Sequence, residues 1–380
     1  MRYLDLPAPA HPPGPGHLGR WGGEPLKLLE EGAALAGPRR LFRLSLGLPT
    51  VVGFSPGWNR TVLTDPEGFV GRGSFSKAVP YLAGGIILTD APGHRPRRAV
   101  LNVPFGKAAV AAMLERIQLA LEPLRPSGDF DALEWADRAA LAMLNAAYFS
   151  GEFPAELLHA FLAPLRHPFP TPMLPRPLLF LRVNAELRRL ARRRLEEGGD
   201  DLLAHLARLP AGVEEARVSL AAGHDTTTHA LAWAVWHLAG RPDWRREDGL
   251  KTVVKETLRL YPPGWMGSRR LTRDLDFEGV QLPRGAMVLY SSYLSARDPG
   301  LWERAHEFWP ERWEHAPPPW AYLPFGGGAR ICLGMHLANS MIEAALALFL
   351  GGDLTPLAGD PSPRPSVTLG PLGPLWVRRG

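Results

Sequence analysis

Cys332 is the one cysteine of the chain, and it stands in Phe325-Gly326-Gly327-Gly328-Ala329-Arg330-Ile331-Cys332-Leu333-Gly334. A lone cysteine is ordinarily a small, buried, inert hydrophobe, but its neighbours here argue for chemistry. Glycines let the backbone turn tightly or lie flat against a ligand. A cation two residues before the sulfur, and a glycine two residues after it where a helix opens, complete a setting that would present one thiolate to a large flat cofactor.

Other segments carry chemistry-bearing residues at regular spacing. Ala221-Ala222-Gly223-His224-Asp225-Thr226-Thr227-Thr228 falls inside the longest helical pattern. Glycine and three consecutive β-branched residues are poor helix formers, and local rules broken in mid-helix often mark a functional site; the plain alternative is a tolerated polar patch. Glu256 and Arg259 share one helix face at i, i+3, which alone describes a surface ion pair of under ~1 kcal/mol. Pro310-Glu311-Arg312-Trp313 follows. Gly93-His94-Arg95-Pro96-Arg97-Arg98 places His94 and Arg98 four residues apart.

In this order, these segments resemble the cytochrome P-450 superfamily, the heme-thiolate monooxygenases, from about residue 24 to the end. Residues 325–334 match Phe-x-x-Gly-x-Arg-x-Cys-x-Gly at every specified position. The resemblance implies heme b (iron protoporphyrin IX) as cofactor, Cys332 as the iron ligand, Phe325 as its shield, and Gly334 as the glycine closing the motif. It puts Arg330, the pair His94 and Arg98, and Arg269 (or the adjacent Arg270) on the heme propionates. Arg95 and Arg97 read equally well as a solvated arginine cluster. Ala222, Gly223, Asp225 and Thr226 match the family's oxygen-groove motif, which implies Asp225 and Thr226 as the acid and alcohol that organise protons for O–O cleavage. Glu256, Arg259 and Arg312 take a structural role behind the heme.

The implied fold is mostly α, a helical bundle around a buried heme with small peripheral β-sheets. Residues 1–23 read as an irregular Pro/Gly-rich lead-in and 24–380 as a single heme-thiolate monooxygenase domain. The elements that must carry the motifs can be read from periodicity. Residues 41–46 and 50–54 form a hairpin around Gly47-Leu48-Pro49. Helices are expected over 108–124, 133–149, 155–162, 178–197, 213–239, 252–260 and 337–350 from apolar spacing of three and four. Prolines at 164, 168, 170, 172, 175 and 177 make 164–177 a stiff connecting loop. Short strands are expected over 277–282 and 287–290. The pocket is expected to be lined by 69–88, 164–177, Ala221, Ala222 and 264–268. The spans 241–251 and 155–200 are short for the family, which marks a trimmed scaffold.

Composition sets the wider bounds. With 46% hydrophobic and 21% charged residues the chain is an ordinary globular protein with a large core. One cysteine suits a reducing, cytoplasmic compartment. No secretory signal and no apolar run approaching the ~20 residues of a membrane span is evident, so no transmembrane anchor is expected. The formal charge of +5 comes almost wholly from scattered arginines, and with no recognised nucleic-acid motif a nucleic-acid partner is excluded. Gly14-Pro15-Gly16-His17-Leu18-Gly19 spells a dinucleotide fingerprint, but no strand precedes it. His336, four residues after Cys332, lacks the further ligands a structural zinc needs.

The resemblance implies a lipophilic small-molecule substrate, O2, and a separate electron donor, a ferredoxin with its reductase, since no flavin or iron–sulfur segment is fused. Arg259-Leu260-Tyr261-Pro262-Pro263-Gly264-Trp265 with Arg269-Arg270, the His224-Asp225-Thr226 helix and Arg241-Pro242-Asp243-Trp244 look like the compact bacterial carotenoid hydroxylases. This points to ring hydroxylation of β-carotene. The alternatives are a fatty-acid or terpenoid hydroxylase or peroxygenase of the same superfamily, or a heme-based gas sensor.

Overall fold

The computed structural model of the chain describes every residue except 73–79 and 168–170, and leaves aside the side chains of Pro80 and Pro172. The expected pocket segments 69–88 and 164–177 therefore lie partly outside the described residues. The chain forms two compact units, each built from three interleaved stretches, so no single position in the sequence separates them.

The first unit comprises residues 1–78, 88–93 and 264–332. Its centre is a five-stranded sheet. The hairpin Leu41–Ser45 and Pro49–Gly53 pairs antiparallel, and Pro49–Gly53 runs parallel to Met287–Tyr290. That strand is antiparallel to Gly267–Leu271, which in turn pairs with Phe69–Val70. Leu41, Val51, Phe69, Leu271 and Val288 pack with Trp58 and Val62 of the helix Pro56–Thr64 into one core. That helix starts cleanly: Pro56 occupies its first turn, and the Ser55 hydroxyl caps it by accepting from Trp58 N at 3.1 Å. The lead-in is more regular than its prolines suggest. Leu18–Gly23 is helical, and buried His17 meets the carbonyl of Pro9 at 3.0 Å and accepts from Ser45 N at 2.8 Å.

The second unit comprises residues 79–87, 94–263 and 333–380. Its helices follow the apolar spacing. In Lys107–Leu121 the buried residues are Val110, Met113, Ile117 and Leu121, one stripe at three- and four-residue intervals. Ala132–Phe149 is capped by the Asp131 carboxylate, which accepts from Leu133 N at 2.9 Å, and it packs against both Lys107–Leu121 and the long helix Gly212–Ala239. Leu250–Leu260 and Met335–Ala347 pack on the long helix as well. Leu354–Gly359, Leu375–Arg379 and Gly128–Asp131 form a three-stranded edge sheet. Taken over the described residues the chain is of the mostly helical class with small sheets, its long helices all lying in the second unit.

Candidate heme-thiolate and proton-relay site

Cys332 is the last residue of the first unit. Its amide donates to the carbonyl of Phe325 at 2.8 Å, folding the segment back on itself around the turn Gly328–Arg330. The thiol is exposed. The turn rests against the helix Pro56–Thr64. Beside it, Arg330 donates through Nη2 to the carbonyl of Thr89 at 2.7 Å and to Asp90 Oδ1 at 3.0 Å. Asp90 is fixed in turn by the amides of Gly71 and Arg72, at 2.7 and 2.8 Å.

Burial, and after it the like charge of Arg269, pulls Arg330 below the usual guanidinium range, while Asp90 and Tyr290 oppose the shift. Arg269 donates to the carbonyl of Ser268 at 2.8 Å and lies 5.7 Å over the Tyr290 ring. Strand alternation sends Arg270 to the opposite face, so Arg269 is the arginine that feels Arg330. The buried Nε of Arg330 has no hydrogen-bond partner among the described residues. This corner joins two cations to one carboxylate, with a donor left over.

In the second unit, His94 and Arg98 sit one turn apart on the helix His94–Leu101. His94 is buried, and Arg98 Nε donates to Asn102 Oδ1 at 2.7 Å. Arg97 is not the solvated cation its sequence neighbours suggest. It pairs with buried Glu215 and donates to the carbonyl of Gly84 at 2.6 Å, and Glu215 also accepts from Ile86 N at 3.1 Å. Arg95 is exposed, as a solvated residue should be. Gly334 is the N-cap of Met335–Ala347, and its carbonyl accepts from Ala338 N at 2.8 Å.

The long helix is buried on nearly every side between Glu215 and Val235. Within that span only Ser219, Ala222, Gly223 and Thr226 are partly exposed. They fall at i, i+3, i+4 and i+7, a single face. A Cβ on Gly223 would meet only Leu144 Cδ2, at 3.4 Å, so packing does not demand the glycine. Its effect is to keep that face low. The Thr226 hydroxyl donates to the carbonyl of Ala222 at 2.8 Å, which leaves its lone pairs available to an outside donor.

Behind this face lies His224, 1% exposed at its side chain, between two carboxylates. Its Nδ1 is 3.1 Å from Asp225 Oδ1, and its Nε2 is 3.0 Å from Asp137 Oδ1. The second approach is at ion-pair distance with the N–H turned off the line to oxygen, so it counts as an ion pair more than as a straight hydrogen bond. Burial alone would lower the imidazole, but Asp137 and Asp225 together hold it above its ordinary 6.5. Burial would raise the Asp137 carboxyl, and His224, Arg166 and His159 outweigh that and hold it low. The sequence signals Asp225 and Thr226. It gives no notice of Asp137 beyond an acid on the Ala-rich stretch Trp135-Ala136-Asp137-Arg138-Ala139.

Glu256 and Arg259 are both fully buried and joined bidentately, at 3.0 and 2.9 Å. Arg312, the third member of the expected network, belongs to the first unit, where its Nη2 donates to the carbonyl of Arg304 at 2.9 Å.

These features suit heme. A soft, exposed sulfur is offered on a glycine loop, a buried guanidinium nitrogen awaits an acceptor, and one flat helix face stays open beside an acid and an alcohol. Comparison with known proteins points the same way. The sequence model of the cytochrome P450 family matches residues 249–351. A cyclooctatin synthase from Streptomyces melanosporofaciens is 28% identical, the alignment spanning 96% of this chain and 94% of that protein. A crystal structure of a six-coordinated cytochrome P450 from Thermus thermophilus superposes with a TM-score of 0.77 at 29% identity, covering 93% of this chain and 98% of that one. The retinoic acid-bound cyanobacterial CYP120A1 shares the fold, with a TM-score of 0.82 at 22% identity over 99% of this chain and all of that one (100%).

Proposed function

The chain belongs to the cytochrome P450 superfamily and is a heme-thiolate monooxygenase, and from that premise we propose that it hydroxylates the ring of a carotenoid such as β-carotene. The family takes O2, electrons from a redox partner and a lipophilic substrate. Heme b, when bound, would supply iron chemistry that activates O2, and a thiolate ligand would favour O–O cleavage.

The chain's own residues are assigned as follows. Cys332 offers the thiolate, and the backbone amides of its glycine loop temper the sulfur's basicity. Phe325 shields it. Arg330 and Arg269, and likewise His94 and Arg98, would hold heme propionates, the planar guanidinium fork matching a carboxylate. Asp225 and Thr226 bind and orient water and pass protons at the Thr226 hydroxyl, as general acid catalysis requires. The observation that carries this reading is the open face Ser219, Ala222, Gly223 and Thr226 on a helix otherwise buried from Glu215 to Val235.

The reduced, CO-bound difference spectrum tests the cofactor assignment. A thiolate-type band supports Cys332 as ligand, and a histidine-type band removes the basis for every role above. Titration with β-carotene tests the substrate. A Soret shift is expected, and a shift with a fatty acid but none with β-carotene overturns the carotenoid assignment. The electron donor is proposed to be a small acidic ferredoxin, reduced by its reductase, docking on the arginine-bearing face near Cys332. Turnover with such a donor then falls as ionic strength rises, and salt-insensitive turnover counts against it. Among the described residues no helix is long and apolar enough to cross a membrane, and we propose the cytoplasm as the site of action.

A further inference from the structure

We propose that His224 and Asp137 are positioning residues that carry protons from a surface groove to Asp225, an inference that rests on the monooxygenase reading. The groove has a volume of about 480 Å³ and is lined by Asp137, Glu134, Arg138, His159 and Arg166 among others. Asp137 is therefore at once part of a solvent-reaching wall and in contact with a buried imidazole. Its Oδ1 meets His224 Nε2 at 3.0 Å and Arg166 Nη1 at 3.1 Å, while its Oδ2 lies 3.9 Å from half-exposed His159. On the far side His224 Nδ1 reaches Asp225 Oδ1 at 3.1 Å. The other Asp225 oxygen, Oδ2, is buried with no hydrogen-bond partner among the described residues. Thr226, next in sequence, has its hydroxyl on the open face of the same helix. The chain Asp137, His224, Asp225 is continuous at contact distance, and its two ends differ in the way a conduit needs: one lines the surface groove, the other is the acid beside the oxygen-side alcohol.

The transfer balances without any oxidant or reductant. The imidazolium gives its Nδ1 proton to Asp225 Oδ1, so that an N–H bond breaks and an O–H bond forms. The neutral ring then turns to bring its bare nitrogen to Asp137. A proton taken by Asp137 from groove water passes to that nitrogen and restores the imidazolium. One proton enters from solvent for each one delivered. A purely structural role for the His224–Asp137 contact, tying the long helix to Ala132–Phe149, predicts no such dependence.

The imidazole is held by Asp225 and Asp137, and other charged groups stand behind its neighbours. Asp225 and His229 lie on its own helix, Asp137 on the helix Ala132–Phe149, His159 and Arg166 beyond Asp137, and Arg364 beyond His229. The test uses holoenzyme with Asp137→Asn and Asp137→Glu substitutions. In the diamagnetic reduced CO complex, the His224 ring nitrogens are followed by nuclear magnetic resonance. The wild type is expected to keep an imidazolium past pH 6.5, the ordinary histidine value, and Asp137→Asn to lose it at lower pH. During turnover Asp137→Asn is expected to raise the solvent deuterium isotope effect and divert oxygen to peroxide, and Asp137→Glu to restore both. Wild-type isotope effect and coupling in Asp137→Asn overturn the conduit. If Asp137→Asn does not fold, the wild-type titration decides: a His224 that titrates ordinarily also overturns it. Failure of the monooxygenase reading is separate, since it appears in the CO spectrum of the wild type whatever Asp137 does.

Discussion

Gly328 lies so close to the carbonyl oxygen of Leu63 that no Cβ fits between them, and it does so at a φ of +61°. The cysteine loop is thereby seated on the helix Pro56–Thr64 through bare backbone. Gly328→Ala combines left-handed backbone strain with a clash against a main-chain atom that cannot swing aside. A destabilisation of about 2–4 kcal/mol is expected. Because Arg330 and Cys332 follow within four residues, heme retention should fall together with the unfolding midpoint. A variant with wild-type midpoint and full heme content would show that the loop is not held there.

The Glu256–Arg259 pair tests whether a buried ion pair is a structural requirement of the second unit. Both side chains are fully buried, so Arg259→Leu takes the bidentate partner from a carboxylate held away from water. Breaking such a pair from one side costs about 3–5 kcal/mol, a large part of the ~5–15 kcal/mol that holds an ordinary domain. Arg259→Lys keeps the charge and loses the fork, and it should fall between wild type and Arg259→Leu in thermal unfolding. Equal midpoints for all three would contradict the assignment.

Much of the second unit was legible because its helices bury one stripe. Residues 155–162 form the helix expected, with the same bounds, and the patterns over 133–149 and 213–239 differ from the observed helices by one residue at the start. The five-stranded sheet was legible at its hairpin and at the strand 287–290, which forms with the bounds expected, but not in its pairing. Its parallel pairing of Thr50 with Met287 joins distant stretches of chain, and no local period encodes a partner that far away. The helix Pro56–Thr64 was missed because polar Asn59 and Arg60 interrupt its apolar spacing, although Asn59 is buried and its amide donates to Ser295 Oγ and the carbonyl of Trp320, both at 2.9 Å. The cysteine motif and the acid–alcohol pair are contiguous in sequence and could be read there. Asp137 beside His224, and Asp90 beside Arg330, arise from packing alone.

Stability should peak near pH 6.5 among the histidine-dependent terms. Burial pushes His229 down to about 4 and His237 to about 3. Their folded values lie below the unfolded one, so below pH 6.5 the unfolded chain takes up protons that the folded chain refuses. Stability is then lost as pH falls, by up to ~1.4 kcal/mol per pH unit for each group. His224 has the opposite sign. Its folded value is raised, so its contribution is complete below 6.5 and is lost as pH rises through the folded value. Urea midpoints of the holoprotein across pH would check both limbs. His237→Phe, which preserves the stacking on Tyr261, should flatten the acid limb, and His224→Gln the alkaline one.

Thr226→Ala separates a monooxygenase from a heme protein that only binds ligands. The hydroxyl is anchored by its bond to the Ala222 carbonyl, which fixes its rotamer and leaves its lone pairs on the open face of the helix. Removing it leaves the helix intact, since threonine is a mediocre helix former and alanine the best. The folded protein should therefore be no less stable, and CO binding should be unchanged. Product per electron is expected to fall by about 100-fold, the lower end of the ~10²–10⁴-fold that a positioned proton donor supplies, while peroxide release rises to match. Thr226→Ser, which keeps the oxygen, should recover most of the coupling. Unchanged coupling in Thr226→Ala would mean that the alcohol is not on the proton path, and Asp225 would then have to deliver protons by another route.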